Sequence, residues 1–204
     1  MPKADRVTIQ CARCRRAGEK LFLKGDKCFT AKCPVARRGF PPGQHGPTQR
    51  VRLTSYGEQL KEKQKAKRVY GLRERQFSNY VAKASKRKGN TAEGLLKFLE
   101  KRLDNVVYRL GLAKSRESAR QMVSHRHFLV NGKRVNIPSF QVEPDQIISI
   151  AEKSQPKKIF ENLNQTLVKH ELPVWLSLAS LSLSAVASSP SARPPVRVKT
   201  SKLT

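Results

Sequence analysis

The chain has 204 residues, 38% of them hydrophobic, and its 42 Lys and Arg residues against 15 Asp and Glu residues give a formal net charge of +27 at pH 7. So large a surplus repels itself in a folded protein unless an anionic partner neutralises it, which indicates nucleic acid or an acidic membrane surface. The sequence excludes an apolar membrane-spanning helix, because no run approaches the ~18 consecutive apolar residues that such a helix needs. Residues 1–90 hold 24 basic residues against 6 acidic ones, so we expect the N-terminal half to make most of the contact with the partner.

All four cysteines lie in one basic stretch, with the spacing C-x2-C-x13-C-x4-C. A disulfide framework, a redox pair and a metal site are the alternatives. The first residues contain no apolar segment typical of a secretory signal, so we expect a reducing compartment, which disfavours structural disulfides. A thioredoxin-like redox pair would accompany a βαβ pattern, and none is visible. The spacing favours one structural Zn²⁺, with unpaired thiols from an ancestral site as the alternative, and the predicted ligands are Cys11, Cys14, Cys28 and Cys33.

This predicted zinc site would organise a polar N-terminal arm, residues 1–44. Each cysteine pair is expected to form a tight turn that directs two thiolates towards one ion, and four thiolates leave no open position for catalysis. The surrounding Arg and Lys residues are expected to lower the pKa of the thiols. Because the arm is too polar to fold alone, zinc binding would supply its folding energy, about 10–16 kcal/mol in zinc-finger peptides.

Two basic segments follow the arm. The stretch "RRGFPPGQHGP" (Arg37–Pro47) is predicted to be an extended loop that does not fold back, either a plain linker or a phosphate contact. Residues 57–88 lack Pro and are rich in helix formers, and Gly71 is predicted to separate two helices. From Lys61 to Lys88 there are 11 basic and 2 acidic residues, whereas a solvated helix face normally mixes both signs. The second helix has a predicted apolar stripe of Phe77, Tyr80, Val81 and Ala84.

Two further helices are predicted after this segment. Asn90, with Glu93 three residues later, is a capping pattern for a helix that ends at Gly111. Ser115 is predicted to cap the next helix, which runs to about His125. The apolar positions are Leu95, Leu99, Leu103, Val106 and Leu110 in the first helix and Ala119, Met122 and Val123 in the second.

A small antiparallel sheet completes this part of the chain. Asn131-Gly132 joins two β-prone runs within His127–Ile137, which is a strong hairpin signal. The run Gln146–Ile150 supplies another strand. Two helices and a small antiparallel sheet therefore form a module over residues 93–152.

The stretch Arg109–Phe140 resembles the RNA-binding module named after small-subunit ribosomal protein four, which also occurs in pseudouridine synthases, some tyrosyl-tRNA synthetases and a heat-shock RNA-binding protein. Together with the four-cysteine knuckle, "PPGQHG" (Pro41–Gly46), "YGEQLKEKQKAKRVYG" (Tyr56–Gly71) and "RLDNVVYRLG" (Arg102–Gly111) resemble the bacterial-type family of ribosomal protein four itself. The predicted fold class is α+β. Its parts are a zinc-knuckle arm (1–44), a basic helical domain (45–92), the RNA-binding module (93–152), and a divergent C-terminal segment (153–204) that packs on the helical domain and is disordered at its end.

The resemblance implies a structural, non-enzymatic protein of the small ribosomal subunit. Family members bind 16S ribosomal RNA directly at a multi-helix junction, early in assembly, and help to nucleate the body of the particle. Their neighbours on the side where messenger RNA enters are ribosomal proteins three and five, and the interface with protein five is associated with decoding accuracy. The implied location is the small subunit in a bacterial cytoplasm, with an organelle ribosome as the alternative, and neither a membrane nor a small-molecule substrate is implied.

The C-terminal end departs from the family. Ser177–Thr204 contains eight Ser, three Pro and no acidic residue, whereas the family usually ends in a strand rich in Val and aromatic residues with an acidic residue. We expect the Pro-rich part to be disordered or lineage-specific. Part of the packing against protein five is therefore expected to differ here.

Enzymatic alternatives lack a catalytic constellation. Arg102-Leu103-Asp104 is similar to the residues around the catalytic aspartate of some pseudouridine synthases, but Asp104 lies in an apolar-periodic helix. We predict a structural role for Asp104, paired with a nearby Arg. A second metal site at His125 and His127 is disfavoured, because no carboxylate is adjacent. A ribosome-associated stress factor with the same module is the remaining alternative, although such chains generally lack the cysteine knuckle and the Pro41–Gly46 loop.

Three basic surfaces are predicted to bind RNA, mostly through its backbone, because A-form RNA hides its base edges in a deep groove. The arm and loop supply Arg15, Arg16, Arg37, Arg38, His45, Arg50 and Arg52; the helical pair supplies Lys65, Lys67, Arg68, Arg73, Arg75, Lys83, Lys86, Arg87 and Lys88; and the module supplies Lys114, Arg116, Arg120, His125, Arg126, His127 and Lys133.

Overall fold

The chain forms two compact units, Met1–Lys83 and Ala84–Thr204. The computed structural model describes residues 6–48, 52–161, 163, 167, 170–173, 175–176 and 196–197. Within these residues no helix is both long enough and apolar enough to cross a membrane. Helices dominate both units, and a small antiparallel sheet lies in the second.

The first unit is helical. Helix α1 (Arg6–Ala17) is followed by a 3₁₀ turn (Asp26–Cys28), the short α2 (Pro34–Arg37), α3 (Ser55–Val69) and α4 (Glu74–Ser85), whose last two residues belong to the second unit. Helix α1 contacts both α2 and α3. The cluster between them consists of buried Cys14, Ala17 and Leu21, with Leu23, Val35 and Val69 partly buried against it.

The first cysteine pair lies in helix α1, and the predicted tight turn at this pair is wrong. Cys11 and Cys14 are three residues apart, so the helix places them on one face. Gly18, with a φ of 77°, ends the helix, and its N–H donates to the carbonyl of Cys14 at 3.0 Å. The spacing of the cysteines does not distinguish the two structures, because a helical turn brings residues i and i+3 together as well as a tight turn does.

The helical pair α3–α4 forms largely as predicted. Thr54 caps α3, since its Oγ accepts from the Gly57 N–H at 3.2 Å. Gly71, with a φ of 62°, ends the helix, and the N–H of Leu72 donates to the Lys67 carbonyl at 3.0 Å, which is a Schellman motif. In α4 the predicted stripe is buried at Phe77, Tyr80 and Ala84, but Val81 is 37% exposed because it lies at the edge of that stripe.

The Pro- and Gly-rich loop folds back on itself, contrary to the predicted extended loop. The N–H of Gly46 donates to the carbonyl of Gly43 at 3.2 Å. A Cβ at Gly46 would lie 2.1 Å from the carbonyl oxygen of Pro41, so only glycine fits this close approach of two backbone segments. Backbone contacts of this kind are invisible to a count of Pro and Gly residues.

The second unit contains α5 (Thr91–Glu100), α6 (Leu103–Arg109) and α7 (Arg116–Ser124). The predicted caps of α5 and α7 are confirmed: the Asn90 side chain accepts from the Ala92 N–H, and the Ser115 side chain accepts from the Ser118 N–H.

The single helix predicted from Asn90 to Gly111 is wrong, because the chain breaks between α5 and α6. Arg102 is extended there and forms a bridge with Gln141, and the N–H of Leu103 donates to the Phe140 carbonyl at 2.9 Å. These long-range bonds replace the helical bonds that the apolar periodicity predicted. Helix α6 then ends at Gly111 as predicted, with a φ of 76°.

The predicted sheet is confirmed, with one added strand. Strands β1 (Phe128–Val130), β2 (Lys133–Arg134), β3 (Ile147–Ile150) and β4 (Val196–Arg197) are antiparallel neighbours in the order β2-β1-β3-β4. The hairpin turn has φ values of 48° at Asn131 and 78° at Gly132, as the Asn-Gly signal predicts. The rest of the tail 177–204 lies outside the described residues, so its predicted disorder stays a prediction.

The core of the second unit joins α6, α7 and the sheet. It also includes Phe160, Leu163 and Leu176 from the C-terminal segment. The sequence analysis predicted that this segment packs on the helical domain and did not predict its contact with this core. The buried members are Leu103, Val106, Val107, Leu110, Leu112, Ala119, Met122, Val123, Phe128, Val130, Val142, Ile148, Phe160, Leu163 and Leu176.

Candidate nucleic-acid interface

The four cysteine thiols line one cavity of the first unit. Leu23, Pro34 and Val35 line the same cavity, and three of the cysteines are buried whereas Cys11 is partly buried. All four are free thiols. Among the described residues, no three His, Cys, Asp or Glu side chains are grouped as closely as a bound ion requires. Four cysteine sulfurs are a donor set that suits Zn²⁺. In this structure, however, the four thiols are not grouped around one ion position.

Burial raises the pKa of the Cys14 thiol, and the neighbouring Cys28 and Cys11 raise it further, against an opposing effect of backbone hydrogen bonds from Leu21 and Leu23. The predicted lowering of the thiol pKa by basic neighbours is thus wrong for Cys14, because desolvation of the thiolate outweighs those neighbours.

The charges of two arginines on α1 act on an arginine of α3, the helix that α1 contacts. Arg13 and Arg16 are exposed on α1, and Arg68 is partly buried on α3. Burial lowers the pKa of Arg68, and the charges of Arg13 and Arg16 lower it further. Guanidinium groups that repel one another in this way are stabilised by a phosphate, which each can bind through a charge-assisted hydrogen bond. Arg13 is absent from the predicted RNA-binding set, because its position three residues before Arg16 on one helix depends on α1, which was not predicted.

Arg15 has a structural role that the sequence did not reveal. Its Nε donates to the Phe40 carbonyl at 3.0 Å, and a terminal nitrogen donates to the Pro41 carbonyl at 3.2 Å. Its guanidinium carbon also lies 4.9 Å from the centre of the Phe40 ring. Arg15 therefore fixes the start of the Pro- and Gly-rich loop, and we move it from the RNA-binding set to the residues that shape the surface.

Two of the predicted lysines are paired with carboxylates. Lys65 Nζ lies 2.6 Å from Glu19, and Lys67 Nζ lies 2.6 Å from Glu74. Hydrogen bonds from Lys63 and Lys67 hold the pKa of Glu74 at about 2. Exposed pairs of this kind contribute ~0–1 kcal/mol, so a phosphate can compete for either lysine.

The other predicted contacts of the first unit are exposed where they are described. Arg50 lies outside the described residues. The exposed side chains are Arg37, Arg38, His45, Arg52, Arg73, Arg75 and Lys83.

In the second unit, Lys86, Arg87 and Lys88 are exposed beyond the end of α4, and the Arg87 guanidinium carbon lies 4.4 Å from the centre of the Phe98 ring. Lys114 and Lys133 are also exposed. Their contact with phosphate stays a prediction.

A polar network holds the two arginines of α7. Arg116 Nε donates to Asn105 Oδ1 at 2.8 Å, and its guanidinium carbon lies 4.6 Å from the centre of the Tyr108 ring. Arg120 Nε lies 3.7 Å from an Asp104 carboxylate oxygen. Both arginines are partly buried, so the surface presents them in fixed orientations.

Asp104 belongs to a buried ion pair, as predicted. Arg102 Nε and a terminal nitrogen donate to its two carboxylate oxygens at 3.0 and 2.6 Å, and the Arg102 side chain is fully buried. Because both carboxylate oxygens accept hydrogen bonds from Arg102, Asp104 has a structural role.

The end of α7 separates two histidines that the sequence treated alike. His125 and Arg126 are exposed, and Arg126 has a φ of 61°, which is strained for a residue with a side chain. His127 is buried: its Nδ1 lies 2.8 Å from Ser154 Oγ, and its ring packs edge-on against Phe160. Burial, followed by the charges of Lys157 and His125, lowers the pKa of His127. We therefore move His127 from the RNA-binding set to the core.

Comparison with known proteins identifies the family. Residues 8–100 match the Ribosomal protein S4/S9 N-terminal domain, and residues 101–148 match the S4 domain. Small ribosomal subunit protein uS4A of Clostridium botulinum (strain ATCC 19397 / Type A) is 55% identical over 167 residues, which are 82% of this chain and 80% of that protein. The uS4 proteins of Thermoanaerobacter sp. (strain X514) and Syntrophomonas wolfei are 56% and 50% identical over 168 residues, again 82% of this chain and 80% of each relative. The chain belongs to the uS4 family.

Membership of the uS4 family confirms the predicted class of function, a structural ribosomal protein that binds ribosomal RNA and is not an enzyme. The boundary between the two family domains falls after Glu100, where α5 ends. The break before α6 is therefore the point at which the S4 domain begins, and its first helix carries the buried ion pair.

Proposed function

We propose that this protein binds small-subunit (16S) ribosomal RNA directly at a multi-helix junction, early in assembly, and helps to nucleate the body of the subunit. The observation that carries the proposal is the set of exposed basic side chains on the first unit, Arg13 and Arg16 of α1 among them, because such a surface neutralises closely spaced phosphates. Binding of this kind releases counterions and weakens steeply with salt.

The basic side chains of the second unit support recognition of a junction. Arg116 is held by Asn105 and Tyr108, and Arg126 is fixed in a left-handed conformation at the end of α7. Side chains held in this way lose little conformational freedom on binding, so they favour one arrangement of phosphates over others. A junction supplies phosphates from several helices, and its shape distinguishes it from a regular A-form duplex.

The proposed neighbours are those that the family resemblance implies. We place the protein beside ribosomal proteins three and five on the side where messenger RNA enters, in the small subunit of a bacterial cytoplasm, with a contribution to decoding accuracy beside protein five. An organelle ribosome is the alternative location. Because the sequence Ser177–Thr204 departs from the family, we expect the contact with protein five to differ here from that of other family members.

A structural Zn²⁺ is part of the proposal. The ligands would be Cys11 and Cys14 from α1, Cys28 from the 3₁₀ turn and Cys33 immediately before α2. Their four thiols line the same cavity, and four sulfur donors are a typical set for structural zinc. The bound ion would join the two ends of the segment between α1 and α2.

A salt titration of binding tests the RNA proposal. The full chain is titrated with the purified junction domain of small-subunit ribosomal RNA, in the presence of excess bulk tRNA, at several salt concentrations. Tight binding that survives the tRNA and weakens steeply with salt is expected. Binding that tRNA competes away equally would remove the specificity and favour the stress-factor alternative.

The role of Arg13 and Arg16 can be tested in the same assay. The double variant Arg13→Gln/Arg16→Gln should reduce the slope of log K against log salt by about 1.5, since each phosphate contact contributes ~0.7–0.9. The matched variant Arg13→Lys/Arg16→Lys keeps both charges and should keep the slope. An unchanged slope in the Gln variant would show that these two arginines do not bind phosphate.

A further inference from the structure

Two exposed phenylalanine rings in the first unit have no part in the function proposed so far. Phe22 is 39% exposed and Phe29 is 74% exposed, and their ring centres lie 5.0 Å apart at an interplanar angle of 32°. Each ring covers part of the other, yet Phe29 keeps most of its surface in solvent. Two large apolar rings exposed side by side are unusual and indicate a contact surface.

The backbone at Phe22 is held in an unfavourable conformation. Its φ is 50°, in the left-handed region that bulky residues rarely adopt. Its neighbours Leu21 and Leu23 both pack on the apolar cluster of the first unit, so the strained residue between them is the one whose side chain is left in solvent. Strain retained in a folded protein commonly marks a position with a function.

The position of Phe29 is fixed by a series of turns. The N–H of Phe29 donates to the Asp26 carbonyl at 3.2 Å, and the Thr30 hydroxyl donates to the Lys27 carbonyl at 3.1 Å. Cys28, immediately before it, is buried. The ring is therefore presented by an ordered backbone, and little order has to be gained when a ligand binds.

The charge around the rings decides the class of ligand. Residues 20–32 contain four lysines and a single acidic residue, Asp26, and Lys20, Lys27 and Lys32 are exposed. Lysine is depleted at protein–protein interfaces, whereas aromatic rings among basic side chains are typical of surfaces that bind unpaired nucleotides. Inside a duplex both faces of a base are already stacked, so a ring that stacks on a base favours unpaired bases in loops and bulges.

We propose that the Phe22–Phe29 ring pair is a stacking platform for an unpaired base of the bound RNA, with the exposed lysines of the same segment, residues 20–32, neutralising adjoining phosphates. This inference rests on the proposed binding of ribosomal RNA. It adds a contact that is independent of charge to a surface otherwise dominated by phosphate binding.

Substitutions at Phe29 test the platform, because a side chain this exposed can be changed without disturbing the fold. Binding of the full chain to the same ribosomal RNA junction domain, free of other proteins, is measured for Phe29→Ala, Phe29→Leu and Phe29→Tyr. The Ala and Leu variants should bind about 5- to 100-fold more weakly, with an unchanged salt slope, since they remove stacking and no charge. The Tyr variant keeps a flat ring and should bind like the natural chain.

Leu separates a stacking surface from an apolar protein contact. If Phe29→Leu binds the RNA like the natural chain, the ring is not required and the platform is wrong. If Phe29→Ala binds the RNA normally but no longer joins the particle when other ribosomal proteins are present, the rings dock a protein and the inference is also overturned. Failure of the natural chain to bind the junction would instead remove the proposed function, which this design reports separately.

Discussion

The two units of this chain are stabilised in different ways. The second unit has a core of fifteen buried residues that joins α6, α7, the sheet and part of the C-terminal segment. In the first unit the described cluster between α1, α2 and α3 consists of three buried residues and three partly buried ones, and Leu72, Phe77 and Tyr80 are buried outside it. Residues 1–83 nevertheless carry 21 basic residues against 6 acidic ones, and residues 84–204 carry 21 against 9.

The second unit therefore folds on its own apolar residues, whereas the first unit relies more on its ligands. Each fully buried Leu, Val, Ile or Phe side chain contributes ~1.5–3 kcal/mol against the conformational entropy lost on folding, so the larger core gives the second unit the greater apolar stabilisation. The exposed ion pairs of the first unit contribute little, and its positive charges repel one another. We therefore expect the proposed zinc ion and the RNA phosphates to supply what the core of the first unit lacks.

Removal of the metal should have the largest effect and should be confined to the first unit. Loss of a contribution of about 10–16 kcal/mol exceeds the stability of most small domains, so chelation should unfold α1 and α2. Hydrogen exchange of the full zinc-loaded chain, measured by mass spectrometry, should show protection lost from residues 10–48 and retained in α6, α7 and β1.

A pair of substitutions in α1 provides the control for chelation. Cys14→Ser should reproduce the loss of protection without a chelator, whereas Ala12→Ser, two residues earlier in the same helix, should leave protection intact. Equal loss in both units, or in neither, would contradict the proposed zinc site and the division of the chain that depends on it.

The buried ion pair should give the next largest effect, this time in the second unit. Asp104→Asn leaves the fully buried Arg102 guanidinium beside a neutral partner, and breaking such a pair costs about 3–5 kcal/mol. Urea unfolding of the second unit should shift accordingly. Asp145→Asn is the matched control, because Asp145 is exposed at a turn with a φ of 65° that Asn tolerates, and it should change the stability by less than about 0.5 kcal/mol. Equal shifts in the two variants would show that the Arg102–Asp104 pair adds nothing to stability.

The fold of the second unit could be predicted because local signals and apolar burial agree there. Asn90, Ser115 and Asn131-Gly132 each act through their own backbone neighbourhood, and the structure confirms all three. The missed break between α5 and α6 has a different origin. It depends on hydrogen bonds to residues nearly forty positions later, such as that from Leu103 to Phe140, and no local pattern contains them.

For the candidate site, the sequence predicted which residues are basic but not the role of each one. Basic residues mark the surface in the sequence, but their roles depend on geometry: Arg15 fixes a loop, His127 enters the core, and Arg13 lies three residues before Arg16 on an unpredicted helix. Phe22 and Phe29 lie seven residues apart in a segment without an α-helix, so their contact does not come from a helix face. Tertiary contacts therefore decide which charges are free to bind RNA.

The smallest predicted effect distinguishes two adjacent arginines of α1. Arg15→Ala removes two partly exposed hydrogen bonds to the Phe40 and Pro41 carbonyls and should release hydrogen-exchange protection in residues 40–47. Because these bonds direct the guanidinium towards the protein, the salt slope of RNA binding should stay unchanged. Arg16→Ala should do the opposite: it should reduce the slope by about 0.7–0.9 and leave the loop protected, since the exposed Arg16 belongs to the proposed phosphate-binding set. If Arg15→Ala flattens the slope while the loop stays protected, Arg15 binds phosphate after all, and the loop is held by other contacts of the first unit.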